Sequence, residues 1–442
     1  LILSDSPDAR INSLNDLAKY HQQNEYYEEE IQTYLLQASI ICEYLTKFGK
    51  LKGEIYEKQK NAANLFLNIC SASNTAKCPF CVENDLPHIN SYCDSPMFST
   101  LSFTCLLEKI VNRCNETELF EIGYGIIDHL WPILENNRSF NILKSVFIKN
   151  SEILQSLSNI SSDEDRLFGQ YFKVSFYGKI FGDNNNSTYI YREKKLTHLY
   201  ELSTRIFNKY KSIYGEEKIE QIKESKKIDE SSLDPEKGYI QITFIEPFLL
   251  KDEQKSRLTS FEQSHNLLKF SFDAPFVKDN KKAQGSVEEQ WLRKTIMAVD
   301  YSMPFILKKQ KVKPDKIRIV DFEPIRVAYR QLRERITMLH NAIERADIRQ
   351  VQQLLHGSIL VQVNEGPLKI AEVFLSKEND KKEQNTKYQQ KLKLAFKDFL
   401  TQNEKGLKIH AQWVEDNLEF MPLQHELESG FSSFSKRLES YL

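Results

Sequence analysis

A chain of 442 residues carrying 60 basic and 62 acidic side chains has a formal net charge of −2. That balance supplies no global pull toward nucleic acid or an anionic membrane, and the length exceeds what one hydrophobic core holds, which predicts two to four lobes. No apolar run approaches the length of a bilayer span, no signal peptide is visible, and Leu1 stands where Met would begin a complete chain. The expectation is therefore a soluble cytoplasmic piece of a longer protein, brought to membranes only indirectly by its missing parts.

From the N-terminus, Leu14, Leu17 and Ala18, then Tyr27, Ile31, Tyr34, Ala38, Ile41 and Leu45, recur at steps of three and four and predict paired amphipathic helices. Stretch 56–69 continues in helical spacing, and 101–114, 119–131 and 140–157 alternate helix with polar breaks. Residues 1–163 thus read as an antiparallel helical array without a fixed-period repeat, serving as support for its neighbour or as a homodimerisation surface.

Seven cysteines are too few, and odd in number, for a disulfide framework. Cys78, Cys81, His88 and Cys93 have the ligand types and rough spacing of a small zinc knuckle, which would make a zinc-dependent nucleic-acid binder; a loop with ordinary thiols is the competing reading. Cys42, Cys70, Cys105 and Cys114 fall in helical patterns and are expected to be buried small hydrophobes.

Composition shifts at Ser161-Ser162-Asp163-Glu164-Asp165. Beyond it Phe172, Val174 and Phe176, then Ile240, Ile242 and Phe244, then Leu268, Phe270 and Phe272 alternate with their neighbours as half-buried strands do. A turn at 183–187 and a helix over 196–214 fit between them, giving a β-rich middle lobe over 164–284. The basic stretches 278–282 and 308–316 have no interleaved aromatics in sequence, so they read as solvated loops and not as a nucleic-acid stripe.

From Val287 the spacing of Ile296, Val299 and Ile306 predicts helix again. Pro324 opens the cleanest helix, with Ile325, Tyr329, Leu332, Ile336, Leu339 and Ile343 on one face. A second run with Ile348, Val351 and Leu355 is expected to stop at Gly357. Residues 358–363, Ser-Ile-Leu-Val-Gln-Val, are then non-helical, Asn364-Glu365-Gly366-Pro367 is dense in turn chemistry, and helical spacing resumes at Leu368, Ala371, Phe374 and Leu375. A helix with Leu392, Phe396, Phe399 and Leu400 precedes a separate one with Leu407, His410, Trp413, Val414, Asn417 and Phe420, which Pro422 would kink or end. Four helices make a bundle over 285–442, interrupted by an apolar loop. Such a loop carries unpaired backbone groups, so it belongs on a partner-facing surface.

The sequence holds no phosphate loop, no nucleophile elbow and no His-Glu-x-x-His pair. His265 and His410 fit structural positions better than acid–base ones.

Gly357-Ser358, Val363-Asn364-Glu365-Gly366-Pro367-Leu368 and Ala371-Glu372-Val373-Phe374-Leu375 resemble the nucleotide-sensor insert of the DOCK (dedicator of cytokinesis) family, in its second homology region. Arg166-Leu167-Phe168-Gly169, Phe176-Tyr177-Gly178, Tyr189-Ile190-Tyr191, Leu233-Asp234-Pro235, Tyr239-Ile240-Gln241, Phe272-Asp273-Ala274-Pro275-Phe276 and Glu289-Gln290 with Arg293-Lys294-Thr295 extend the likeness over nearly the whole chain in order. The resemblance implies a mainly α fold with a β-rich middle lobe (α+β), in three lobes. It implies a guanine-nucleotide exchange factor for a Rho-family small GTPase of the Rac or cell-division-control type, without cofactor or metal, often dimeric. Val363 would be the nucleotide sensor, with Asn364, Gly366 and Pro367 holding its loop, and Gln290, Arg293 and Lys294 would contact the GTPase. Without the resemblance, Val363 reads as a core residue of a helical hairpin. The alternative function is a scaffold of the same fold that binds a GTPase, or another helical partner, without accelerating exchange.

Overall fold

The computed structural model describes residues 6–51, 62–76, 96–160, 166–223, 228, 233–278, 286–360, 366–376 and 386–442. Two compact units share them: residues 1–272 with 296–318, and residues 273–295 with 319–442.

The first unit opens with α1 (Pro7–Gln23) and α2 (Tyr27–Lys47) and continues with α3 (Thr100–Glu116), α4 (Phe120–Asn136) and α5 (Phe140–Asn159). The turns between α1 and α2, α3 and α4, and α4 and α5 each place one non-glycine residue in the left-handed region: Glu25, Glu118 and Arg138. Sequence spacing gave α2 one apolar face, yet every residue from Glu28 to Leu45 is buried. Its three consecutive glutamates therefore need partners. Arg113 reaches Glu30 at 3.0 Å, while Arg192 pairs with Glu29 at 2.8 Å and also with Glu28.

The helix expected over 56–69 is corrected where the chain is described: Ala62–Phe66 is a 3-10 turn. The Ile69 carbonyl accepts from the Gln32 amide of α2 at 2.8 Å instead of serving a continuing helical ladder. Cys42, Cys70 and Cys114 are buried as expected, and burial lifts the Cys70 thiol to about 11. Cys105 departs from expectation. It is exposed, because α3 turns Phe103, Leu106 and Leu107 inward and leaves position 105 outside.

An eight-stranded sheet follows, built from β1 (Gly169–Tyr177), β2 (Ser187–Lys194), β3 (Ile219–Ile222), β4 (Gly238–Pro247), β5 (Leu267–Phe276), β6 (Trp291–Met303), β7 (Lys309–Val312) and β8 (Ile317–Phe322). Its order is β7-β2-β1-β4-β5-β6-β8, with β3 pairing β4 in parallel. Helix α6 (Leu199–Tyr214) lies between β2 and β3, and the short α7 (Lys251–Ser256) and α8 (Ser260–Ser264) between β4 and β5. Phe172, Val174 and Phe176 of β1 pack with Ile240, Ile242, Leu202 and Ile206. The opposite face places Tyr171, Ile190 and Ile245 in the large core shared with the helices. These central strands are thus buried on both faces.

The helix expected from Val287 is overturned. Beyond the short 3-10 turn Val287–Glu289, the chain forms β6, β7 and β8 before any helix. Ile296 and Val299 happen to fit a helical step, but Met297 and Val299 are the buried pair, two residues apart as strand geometry requires.

In the second unit, α9 (Pro324–Glu344), α10 (Ile348–Ile359), α11 (Pro367–Leu375), α12 (Thr386–Glu415) and α13 (Met421–Glu439) form the helical part. Five described helices thus stand where four were expected. One core gathers Ile325, Leu332, Ile336, Ala371, Leu375, Phe396, Phe399 and Phe434; another gathers Leu339, Val351, Leu355, Ile359, Leu407 and Leu427.

Three local expectations fail here. Gly357 does not end α10, which runs to Ile359 because Ser358 and Ile359 are buried, and packing outweighs a propensity cost of about 1 kcal/mol. The two helices expected around Phe396 and Trp413 are one helix of 30 residues. Gly406 in its C-terminal half serves close packing, since a β-carbon there would stand 3.3 Å from Leu355 and 3.4 Å from Leu339. Pro422 opens α13 in its first turn and ends nothing. The fold is mainly α with a β-rich middle, in helix–sheet–helix order along the chain.

Candidate functional site

The segment singled out by sequence sits between α10 and α11. Ile359 is 3% exposed, and Leu360 closes α10, donating its N–H to the His356 carbonyl at 3.0 Å. Val363 and Asn364 lie outside the described residues. The chain returns at Gly366, whose carbonyl accepts from the N–H groups of Lys369 at 3.0 Å and Ile370 at 3.2 Å. Pro367 stands at the first helical position, where it surrenders no hydrogen bond, and both it and Leu368 are buried.

Both stems are held by packing. Ile359 belongs to the core with Leu355, Leu407 and Leu427, and Leu360 packs against it. Leu368, Ile370 and Ala371 belong to the core with Ile325 and Phe396. Gly430 of α13 permits the entry stem to come close: a β-carbon there would stand 2.7 Å from Leu360 Cδ2.

The candidate contact residues lie on the sheet side of the same unit. Val287, three residues before Gln290, is buried in the core that also holds Leu368 and Ala371, so the exit stem and the 3-10 turn that precedes β6 share one hydrophobic cluster. Arg293 donates through Nε and Nη2 to the two carboxylate oxygens of Asp321, 2.7 Å each, and its guanidinium lies 4.6 Å from the centre of the Phe276 ring. That hydrogen-bonded pairing holds the Asp321 carboxyl below the usual carboxylate range. Lys294 Nζ is 3.2 Å from Asp273, which also receives Arg330 of α9 at 2.9 Å. Lys278 sits 3.8 Å over Trp291. Asp273, Phe276, Trp291 and Asp321 escaped sequence reading as partners, because only the pairing of distant strands brings them to Arg293 and Lys294.

Elsewhere the basic stretch 308–316 needs correction. Its aromatic neighbours are real but remote in sequence: Lys308 lies 3.7 Å over Tyr26 and Lys309 5.1 Å over Tyr189. Lys308 also pairs with buried Glu193 at 2.7 Å, and Lys309–Val312 is a strand, so this is not a solvated loop. Both histidines hold packing positions. His265 Nε2 approaches Glu28 at 3.4 Å, and His410 Nδ1 bonds Gln424 at 2.6 Å. Cys78, Cys81, His88 and Cys93 lie outside the described residues. Among the described residues no group of three or more His, Cys, Asp or Glu is placed to hold a metal, and no helix is long and apolar enough to cross a membrane.

The family descriptions DHR-2, Lobe A, DHR-2, Lobe B and DHR-2, Lobe C match residues 1–159, 225–302 and 338–441, in that order. The chain belongs to the dedicator of cytokinesis family, through its DHR-2 domain. Dedicator of cytokinesis protein 7 of Mus musculus is 31% identical over 440 residues, covering 98% of this chain and 20% of that protein. Dedicator of cytokinesis protein 8 of Homo sapiens is 31% identical over 439 residues (98% and 20%), and protein 9 of Mus musculus 28% over 455 (99% and 21%). This DHR-2 chain thus spans about a fifth of the length of the curated relatives it matches. The stems at Leu360 and Gly366 fall inside the Lobe C match, and Gln290, Arg293 and Lys294 inside the Lobe B match.

Proposed function

We propose that this DHR-2 chain is a guanine-nucleotide exchange factor for a Rho-family small GTPase of the Rac or cell-division-control type. The observation that carries the reading is the family membership together with the sensor-like sequence between two packed stems. A GTPase holds its nucleotide through phosphate contacts and a Mg²⁺ that also orders its switch loops. Mg²⁺ requires near-octahedral oxygen ligands and keeps tightly bound water. Val363 pushed into that position offers no oxygen and excludes water, so the metal leaves and the grip on the phosphates loosens. A thousandfold acceleration requires only about 4 kcal/mol of preference for the loosened state. Asn364, Gly366 and Pro367 set the path of the loop. GTP arriving with its own Mg²⁺ then expels Val363 and frees the product.

In this reading the array over 1–163 supports the molecule and pairs with a second copy, the lobe beginning at 164 contacts the first switch, and the helices from Pro324 deliver the loop. Gln290, Arg293 and Lys294 contact the GTPase. Dimerisation is favoured by the outer face of α5, where Phe140, Ile148 and Leu154 are 61%, 52% and 45% exposed. The domain works in the cytoplasm, with membrane recruitment left to other parts of its protein.

Fluorescent-GDP release from a panel of Rac-type and related GTPases tests the reading, with the chain and with Val363→Ala. Fast release that collapses in the variant while binding persists supports the sensor. Intact binding that is indifferent to nucleotide state, with no acceleration, replaces it by a non-exchanging scaffold.

A further inference from the structure

Three cross-strand rows on one face of β2, β1 and β4 change character in order. The first is Arg192–Tyr171–Ile245, the second Ile190–Lys173–Thr243 and the third Thr188–Ser175–Gln241. In the first row the cation is answered, since Arg192 is paired with Glu28 and Glu29. In the second it is not. Lys173 Nζ donates to the Gln241 side-chain carbonyl at 2.6 Å and lies 5.3 Å from the centre of the Phe272 ring, and among the described residues no carboxylate pairs with it.

Directly opposite Lys173 stands Thr243, 8% exposed, whose hydroxyl is buried without a hydrogen-bond partner. Opposed residues in an antiparallel pair hold their β-carbons about 5 Å apart, close enough for both groups to address one oxyanion. The third row closes the site with polar groups, Ser175 and Thr188 sharing a hydrogen bond of 2.8 Å. Ser175, Gln241 and Thr243 are buried, while Lys173, Phe272 and Thr188 are half-buried and keep part of their surface in water. Burial pushes the Lys173 amine down to about 8, the behaviour of an ammonium that has lost water and found no counter-charge.

We infer that Lys173 and Thr243 form a receiving site for one carboxylate, carried by an acidic side chain of the protein that docks on this lobe. An incoming carboxylate would take the ammonium as donor on one oxygen and the Thr243 hydroxyl on the other, giving the first a counter-charge and the second a hydrogen-bond partner. A central strand bears an unanswered lysine only at a stability cost, and an aspartate or glutamate from outside removes that cost on binding. The partner's identity as a GTPase rests on the exchange-factor reading; the carboxylate chemistry does not.

The test follows the Lys173 side-chain resonance in ¹³C-lysine-labelled chain, assigned with Lys173→Arg, against pH. Spectra are compared for the chain alone, with sodium acetate, and with each GTPase of the panel. Affinity is measured for Lys173→Met, Lys173→Arg and Thr243→Val. The expected result is a rise of the Lys173 midpoint by about one unit or more on GTPase binding. Affinity falls about thirtyfold in Lys173→Met, about fivefold in Thr243→Val, and is largely kept in Lys173→Arg. Lys173→Met removes an unanswered buried cation and should melt no lower than the parent, so lost affinity would not report unfolding. An unchanged midpoint in the complex, with Lys173→Met binding as the parent does, overturns the inference. A midpoint raised by acetate but not by the partner overturns it in favour of a free anion. If no GTPase binds, the exchange reading fails separately. Acetate then decides: a rise that Thr243→Val abolishes supports the carboxylate site, and no rise overturns it.

Discussion

Gly430 and Leu360 approach so closely that a side chain between them must displace something: a β-carbon at 430 would stand 2.7 Å from Leu360 Cδ2 and 3.0 Å from Ile359 Cγ2. Both neighbours belong to the stem that leads into residues 361–365. Gly430→Ala gains about 1 kcal/mol of helix propensity in α13 and loses about 1–3 kcal/mol to overpacking. The expected outcome is a net loss of about 1 kcal/mol in chemical denaturation, accompanied by roughly tenfold slower GDP release if the stem sets the loop's position. Parental release rates in a folded Gly430→Ala chain would separate the loop from this contact.

Buried His21 of α1 and Glu28 of α2 together make acid unfolding a two-step matter. His21 is buried, donating its Nε2–H to the Ile306 carbonyl at 2.9 Å, and burial holds its pKa below the ordinary value. Its folded pKa is depressed, so its contribution is present above the unfolded value of about 6.5 and is lost as pH falls below it. Glu28 is fully buried, which alone would raise its pKa, but Arg192 and His265 outweigh burial and hold it low. Its contribution is present above about pH 4.3 and is lost as pH falls further. Thermal melting across pH 8 to 3 should therefore decline first near neutrality and again below pH ~4.5. Glu28→Gln should flatten the second decline. It should also cost about 3 kcal/mol or more at neutral pH, since Arg192 is left short of a counter-charge. A single decline unaffected by Glu28→Gln would refute this.

Helix spacing read most of this architecture correctly, because α1, α3, α4, α5 and α9 each bury one face and three-and-four periodicity reports that directly. It failed where burial is two-sided. α2 looks amphipathic but is enclosed, and β6 carries Ile296 and Val299 at a step of three that mimics a helix. Gly357 and Pro422 misled for another reason. Each is a helix breaker by propensity, yet here one stands in open space and the other at a helix start. The start of α11 was legible from its turn-forming residues, Gly366 and Pro367, while Val363 and Asn364 lie outside the described residues. The partners of Arg293, Lys294 and Lys173 were not, since ion pairs and orphan hydroxyls arise only when strands distant in sequence align.

α5 closes the helical array with an unusual outer face. Only Val146 and Ile153 of this helix are buried, and Phe147, 38% exposed, meets the Trp131 ring edge-on at 4.4 Å. If this face pairs with a second copy, Ile148→Glu together with Leu154→Glu should convert a dimer to a monomer in light scattering. Both positions are about half exposed in the single chain, so its stability should change by no more than about 0.5–1 kcal/mol. A dimer that persists in the double variant places the interface elsewhere.

Arg293 separates stability from recognition. Its two bonds to Asp321 are well formed, but each side chain is 36% exposed, and exposed pairs contribute about 0–1 kcal/mol. Arg293→Met keeps an unbranched side chain and removes the guanidinium with its Asp321 bonds and its contact to the Phe276 ring, all partly exposed, so denaturation midpoints should shift by about 1 kcal/mol or less. If Arg293 meets the GTPase, the same variant should weaken binding of the nucleotide-free form by about tenfold, chiefly through faster dissociation. Asp321→Asn then offers a control of opposite sign. It releases Arg293 from its intramolecular partner without removing the cation, and should leave affinity unchanged or raised. Loss of affinity to the same extent in both variants would mean that the pair acts by shaping the ends of β6 and β8, and that Arg293 does not touch the partner.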